Sequence, residues 1–257
     1  MSTYTTEIAS DKILSDNPIH QRLLQAYYLA KPYIKGNLLE LGCGEGRGVE
    51  LLSGLANNYL GLDKIQEVID RLSKKHPNLN FEQAVFPPFE KLADNSFDCI
   101  VSFQVIEHVK QDEAFLKEIY RVLKPEGVAV LTTPNIKKTL TRNPWHVREY
   151  TASELTDLAG KYFDKVEMKG VGGNDKVWTY YKENKASVEK ITRFDIFNLQ
   201  YKLPASILRI PYDILNRVNR NKLNAANTGL VSEINHSDYV MIENADEALD
   251  LFLILKK

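Results

Sequence analysis

"LLELGCGEGRG", residues 38–48, drives an apolar run into glycines at positions 42, 44, 46 and 48. Such a run ending in bare backbone reads as a buried strand turning into a helix, and turns of this kind hold cofactors in parallel sheets. A dinucleotide fingerprint is G-x-G-x-x-G, with the pyrophosphate resting on the helix N-terminus. Here the spacing is G-x-G-x-G, and Arg47 occupies the dinucleotide's third glycine position. Glu40 at the strand end and Glu45 inside the loop add two carboxylates. They repel a pyrophosphate and attract a cationic amino-acid ligand. The loop therefore suits a positively charged cofactor better than a phosphorylated one.

Outward from the loop, strands and helices alternate. "NYLGLD" (58–63), "LNFEQAV" (79–85), "FDCIVSF" (97–103), "VAVLTTP" (128–134) and "DKVEMKGV" (164–171) read as strands. Between them lie helical patterns at 48–56, 64–76, 112–123 and, after a Thr151/Glu154 capping box, from residue 152. "KPEG" (124–127) reads as the turn into the fifth strand, and "LDLFLILKK" (249–257) as a last, seventh strand. The expected fold class is α/β: a Rossmann-like, seven-stranded, mostly parallel sheet with helices on both faces. Ligands of such sheets bind beyond the carboxyl ends of the strands, where the topology switches. That places the glycine loop, Asp63 and the segments after Val85 and Phe103 around one crevice.

The chain has 257 residues, a formal net charge of −1, 44% hydrophobic and 26% charged residues. This is the composition of an ordinary globular protein, and it gives no case for nucleic acid as partner. Two cysteines, Cys43 and Cys99, argue against a disulfide framework and for a reducing cytoplasm. The opening "MSTYTTEIASDKIL" lacks the basic and apolar segments of a leader.

With these blocks in hand, the chain resembles the class I S-adenosylmethionine-dependent methyltransferases. The resemblance rests on "LLELGCGEGRG", Asp63, "ADNSFDCIVSFQVIEHV" (93–109) and "VLKPEGVAVLTTPN" (122–135), and it spans about residues 37–171. It implies that Glu40, Gly42, Cys43, Gly44 and Gly46 hold the methionine portion and Asp63 the ribose. Lys64 would lie along the adenine face, and Phe103 and Gln104 would face the reacting methyl. The family's usual acid for the adenine amino group is replaced by Val85, which leaves base recognition to the backbone of Val85 and Phe86.

"FQVIEHV" (103–109) is similar to the E-x-x-E-H stretch with which ubiquinone-pathway and small-RNA O-methyltransferases bind a divalent cation. A helical segment would put Gln104, Glu107 and His108 on one face. His146 in "RNPWHVREY" (142–150) is a further candidate ligand. A cation on Glu107, His108 and His146 would lower the pKa of a substrate hydroxyl. Gln104 replaces the first glutamate, however, so one anionic donor is lost. A proton-accepting role for His146, His108 or Glu107 is therefore preferred to a metal.

The alternation breaks after residue 181. Residues 182–224 carry nine Lys/Arg against four acids, and residues 225–255 carry six acids and no Lys/Arg. We expect an N-terminal substrate-side helical segment (1–36), with Ile19, Leu23, Leu24, Tyr27 and Tyr28 of its 17–31 helix on one face. The methyltransferase core (37–181), a helical insertion or lid (182–236) and the final strand region (237–257) follow. Ile207, Ile210, Ile214, Leu215 and Val218 form an apolar stripe beside Arg209, Arg217 and Arg220, with a kink expected at Pro211. The stripe reads as a cap over the substrate pocket, with peripheral membrane contact through 204–222 as the alternative. The acceptor expected is a hydroxyl of a small molecule, glycan or lipid-linked metabolite. The competing readings are a protein that binds S-adenosylmethionine without turnover and an NAD-type oxidoreductase on the same sheet.

Overall fold

β1 (Asn37–Leu41) runs through the centre of the molecule because Leu38, Leu39 and Leu41 are all buried, as a parallel strand covered on both faces requires. The computed structural model describes residues 13–257. The stretch read above for a leader lies, as far as residue 12, outside them.

α1 (Asn17–Ala30) precedes β1. α2 (Val49–Ser53), β2 (Asn58–Asp63), α3 (Gln66–Lys75), β3 (Asn80–Gln83) and β4 (Phe97–Phe103) follow. Then come α4 (Asp112–Val122), β5 (Leu123–Pro134), α5 (Ala152–Ala159) and β6 (Lys165–Gly173). Both halves of the capping box at Thr151 and Glu154 are formed at the start of α5. Next are α6 (Asp175–Thr192), α7 (Leu199–Lys202), α8 (Ala205–Ala226) and α9 (Thr228–Glu233). β7 (Tyr239–Ile242) and β8 (Asp250–Lys256) end the chain.

The sheet order is β3-β2-β1-β4-β5-β8-β6-β7. β3 through β5 are mutually parallel, β8 runs antiparallel to both β5 and β6, and β7 is antiparallel to β6. The sheet has eight strands rather than the seven expected. The extra strand, β7, pairs with the outer edge of β6 from Gly170↔Ile242 to Gly173↔Tyr239. It occupies backbone groups that β6 would otherwise leave bare at the sheet edge. One apolar layer, around Leu38, Tyr59 and Phe252, packs on one face of the sheet. The other, around Leu39, Phe115 and Ile119, packs on the opposite face.

Two expected boundaries change, at 124–127 and at residue 182. The 124–127 stretch lies inside β5, at an irregularity in its pairing with β4 where Glu126 takes φ +61°. Pro211 lies inside α8, which continues to Ala226. The ring removes one N–H donor, so Ile207's carbonyl loses its partner within the helix, yet the turns on both sides persist. α6 starts at Asp175 and continues past residue 182. α8 is tied to the start of the described chain by Asp16, buried, whose carboxylate accepts from Arg217 (2.7 Å) and Arg220 (3.0 Å).

Candidate active site

The topology switches between β1 and β4, and the glycine loop, the end of β2 and the end of β4 meet there around a crevice of 470 Å³. Gly42 takes φ +77°, and a Cβ on it would meet Val105 Cγ2 at 2.4 Å, so only glycine fits. Gly44 is different. A Cβ there would find only Gly42's carbonyl oxygen, at 3.9 Å, so its bare backbone faces open space that a ligand can enter.

Of the residues expected at the cofactor, Gly42, Cys43, Gly44, Asp63, Lys64, Val85, Phe86, Phe103 and Gln104 all line this crevice. Gly46, at φ +80°, shapes the turn against Leu72. Glu40 stands behind the wall, only 1% exposed. Its carboxylate accepts from Tyr27 Oη (2.8 Å) and Tyr59 Oη (2.5 Å). Tyr27 comes from α1 and packs edge-on against Phe103, ring centroids 4.8 Å apart, so Glu40 anchors an aromatic side of the crevice. Neither tyrosine was singled out for this role in the sequence, because nothing local links them to Glu40.

Asp63 lies at the crevice with one oxygen accepting from Gly44 N–H (2.8 Å) and the other from Ile65 N–H (3.0 Å). The same carboxylate thus fixes the glycine loop to the end of β2. Glu45 also lines the crevice and is paired with Arg71 (3.1 Å). Ile65, Val85 and Phe86 give it an apolar side suited to a purine. The crevice has the bare backbone, acids and apolar wall that a sulfonium-bearing nucleoside requires.

Burial pushes Glu40 up to about 7, and the two tyrosine hydroxyls offset that only in part. A carboxyl raised above its ordinary value of 4.5 keeps its proton in the folded protein after the unfolded chain has lost it. Glu40 therefore withdraws stability as pH rises from about 4.5 to about 7, by about 3 kcal/mol in all. Glu40→Gln removes this slope. Urea unfolding across that window should show the variant gaining on the parent by about that amount, and parallel curves would contradict the burial argument.

Beyond Gln104 and His108 a second, polar chamber of 270 Å³ opens between α1, the segment after β5, and the helices α6 and α8. Leu23, Gln104 and His108 line both spaces. The segment after β4 forms a 3-10 turn at Ile106–His108, with Gln104 at φ +58°. Gln104 donates to Thr132 Oγ1 (3.3 Å).

Glu107 is fully buried. One oxygen accepts from Thr133 Oγ1 (2.9 Å), and the other, Oε1, has no hydrogen-bond partner among the described residues. Burial raises this carboxyl to about 7. His108 Nδ1 lies 2.9 Å from Trp145's carbonyl, which can only accept, so this nitrogen carries the proton. Burial and the neighbouring His146 lower His108 to about 4, which keeps the ring neutral.

His146 is held between two hydrogen-bond partners, Asn143 and Glu149. Asn143 Oδ1 accepts from Trp145 N–H (3.0 Å), so its amide nitrogen is the atom that donates to His146 Nε2 (2.8 Å). His146 Nδ1 then donates to Glu149 Oε1 (2.6 Å), and Thr139's hydroxyl donates to Glu149's other oxygen. Glu149 was missed in the sequence, although its i,i+3 spacing from His146 in "HVRE" is visible there. Glu107, His108 and His146 do converge, each offering a donor atom within 4.8 Å of the others.

The sheet order and the crevice at its switch point are those of the Rossmann-like methyltransferase fold. Residues 39–131 match the family model described as "Methyltransferase domain". A Mycolicibacterium smegmatis protein named "Probable S-adenosylmethionine-dependent methyltransferase" is 36% identical over 127 residues, 48% of this chain and 49% of that protein. The mitochondrial ubiquinone biosynthesis O-methyltransferase of Rattus norvegicus is 33% identical over 113 residues, 41% of this chain and 32% of that one. The chain spans about half the length, or less, of these curated relatives. In fold it is similar to a Thermotoga maritima structure described as a "SAM-dependent methyltransferase, possible histamine N-methyltransferase". That likeness has a TM-score of 0.58 at 17% identity and covers 95% of this chain and 91% of the other.

Proposed function

We propose that the protein transfers a methyl group from S-adenosylmethionine to a hydroxyl of a small-molecule, glycan or lipid-linked acceptor held in the polar chamber. The observation that carries this reading is the shared wall: Gln104 and His108 belong to both the cofactor crevice and the chamber. When bound, S-adenosylmethionine supplies a methyl already activated by its sulfonium. The protein's task is to orient the acceptor and exclude water, and to take one proton.

His146 suits the proton. Glu149 holds its Nδ1–H, which leaves Nε2 as the basic nitrogen, and the acceptor's hydroxyl replaces Asn143's amide as its partner. Glu107 Oε1 gives the substrate a second acceptor in the same wall. The convergence of Glu107, His108 and His146 favours a second reading, a divalent cation that binds the acceptor's oxygen. The two buried, free thiols suit a reducing compartment, for which we propose the cytoplasm.

The test pairs calorimetry with labelled transfer. S-adenosylmethionine should bind and NADH should not, and label should pass from the former into a defined product of a metabolite extract. Binding without transfer favours the non-catalytic reading, and binding of NADH the oxidoreductase. Transfer that survives exhaustive chelation removes the cation.

A further inference from the structure

The helices after β6 form a third, open-sided cavity of 420 Å³, which the cofactor and the polar chamber leave unexplained. Val188 and Ile191 of α6, Leu203, and Leu208, Pro211 and Leu215 of α8 line it. It is not isolated. Thr141, Val188, Tyr212, Asn216 and Asn219 line both this cavity and the polar chamber that holds His146. The two spaces share this wall, with His146 on the polar side of it and the aliphatic side chains on the other.

The segment between α6 and α7, and α8 itself, expose large apolar side chains. Phe194 is 73% exposed, Ile196 81%, Phe197 71% and Ile210 72%. Large apolar side chains left this exposed point to a surface that meets an apolar partner. Lys190, Arg193, Lys202 and Arg209 are interspersed, and the 182–224 stretch carries a surplus of five positive charges (nine basic residues less four acids). Apolar side chains among cations match an anionic bilayer surface. The segment bearing His146 is fastened to these helices. Trp145 Nε1 donates to Asp213 (3.2 Å), Arg209 stacks 4.3 Å from the Trp145 ring, and Arg142 donates to the carbonyls of Gln200 (2.9 Å) and Leu203 (3.0 Å).

We propose that the cavity between α6, α7 and α8 is the subsite for the aliphatic chain of an amphiphilic methyl acceptor, whose polar head lies in the chamber beside His146. The inference deepens the methyltransferase reading and rests on it for the acceptor's role. The chain reaches the cavity from a bilayer or as dispersed monomer; the chemistry recognised is the same.

The probe is 11-(dansylamino)undecanoic acid, whose fluorescence reports entry into an apolar site. It should bind the intact protein saturably. Leu208→Trp, which fills the cavity, should weaken that binding at least tenfold and leave S-adenosylmethionine affinity unchanged by calorimetry. No saturable binding, or equal binding by a variant that still binds S-adenosylmethionine, overturns the proposal. Should Leu208→Trp lose S-adenosylmethionine as well, displacement of the probe from the parent protein by hexanol through dodecanol decides. A gain of about fourfold per methylene supports a chain subsite, and a flat series overturns it.

Offering the probe in vesicles of phosphatidylcholine with a quarter phosphatidylglycerol separates the sources. Uptake from vesicles supports the proposal with the bilayer as source, and uptake from monomer alone supports it with the dispersed amphiphile. Uptake from neither overturns it. The underlying function fails separately, if probe and S-adenosylmethionine both bind and no acceptor is methylated. The inference alone fails if short-chain acceptors are methylated and the probe is ignored.

Discussion

His146→Ala is expected to lower methyl transfer by about 10²–10⁴-fold while S-adenosylmethionine binds as before, the range for losing a positioned proton acceptor. The separation follows from placement: His146 lines the polar chamber and is not part of the cofactor crevice. The size follows from preorganisation. Asn143's amide is oriented by Trp145 N–H, Glu149 takes Nδ1–H, and Thr139 fixes Glu149, so the ring is held in one tautomer before an acceptor arrives. Glu149→Gln should produce part of the same loss, because an amide at that position no longer stabilises the imidazolium. Turnover is measured with labelled S-adenosylmethionine and any acceptor fraction that the parent protein methylates. Full turnover in His146→Ala would move the proton to one of the other two candidates in that wall, His108 or Glu107, whose carboxyl is raised to about 7 and has no partner at Oε1 among the described residues.

How much of this was legible in the sequence depended on whether the information was local. β4 was readable to the residue, because a strand buried on both faces is written as one continuous apolar run. The glycine loop and Asp63 were readable because strand ends carry ligand contacts at fixed offsets from the glycines. β7 was not, since its four residues acquire strand character only by lying along the edge of β6. Glu40 was expected at the methionine portion, whereas it stands behind the crevice wall, and its partners Tyr27 and Tyr59 sit 13 and 19 residues away, on a helix and on the next strand. Only packing brings them together. Residues 182–224 showed their charge. The stripe of Ile207, Ile210, Ile214, Leu215 and Val218 expected to cap the substrate pocket is exposed, however, and α8 turns Tyr212, Asn216, Asn219 and Arg220 to the chamber instead. The further cavity depends on how three helices lean on residues 141–144.

Asp63→Ala is expected to weaken S-adenosylmethionine binding about 100-fold, which corresponds to about 2.7 kcal/mol. Two losses add to this. The Gly44 and Ile65 N–H groups lose their common acceptor, and an unsatisfied buried donor costs about 1–3 kcal/mol. The carboxylate also stops competing with water for the ribose hydroxyls. The two contributions can be told apart with a ligand lacking those hydroxyls, the dideoxy analogue of S-adenosylhomocysteine. If Asp63 bonds the ribose, removing the hydroxyls and removing the carboxylate delete the same contact, so their effects on affinity must fall short of additive. If Asp63 only holds the loop, the two effects sum. Calorimetry on the four combinations of protein and ligand measures this directly, and strict additivity would remove Asp63 from the ribose while leaving its bonds to Gly44 and Ile65 as the reason the glycine loop stands open.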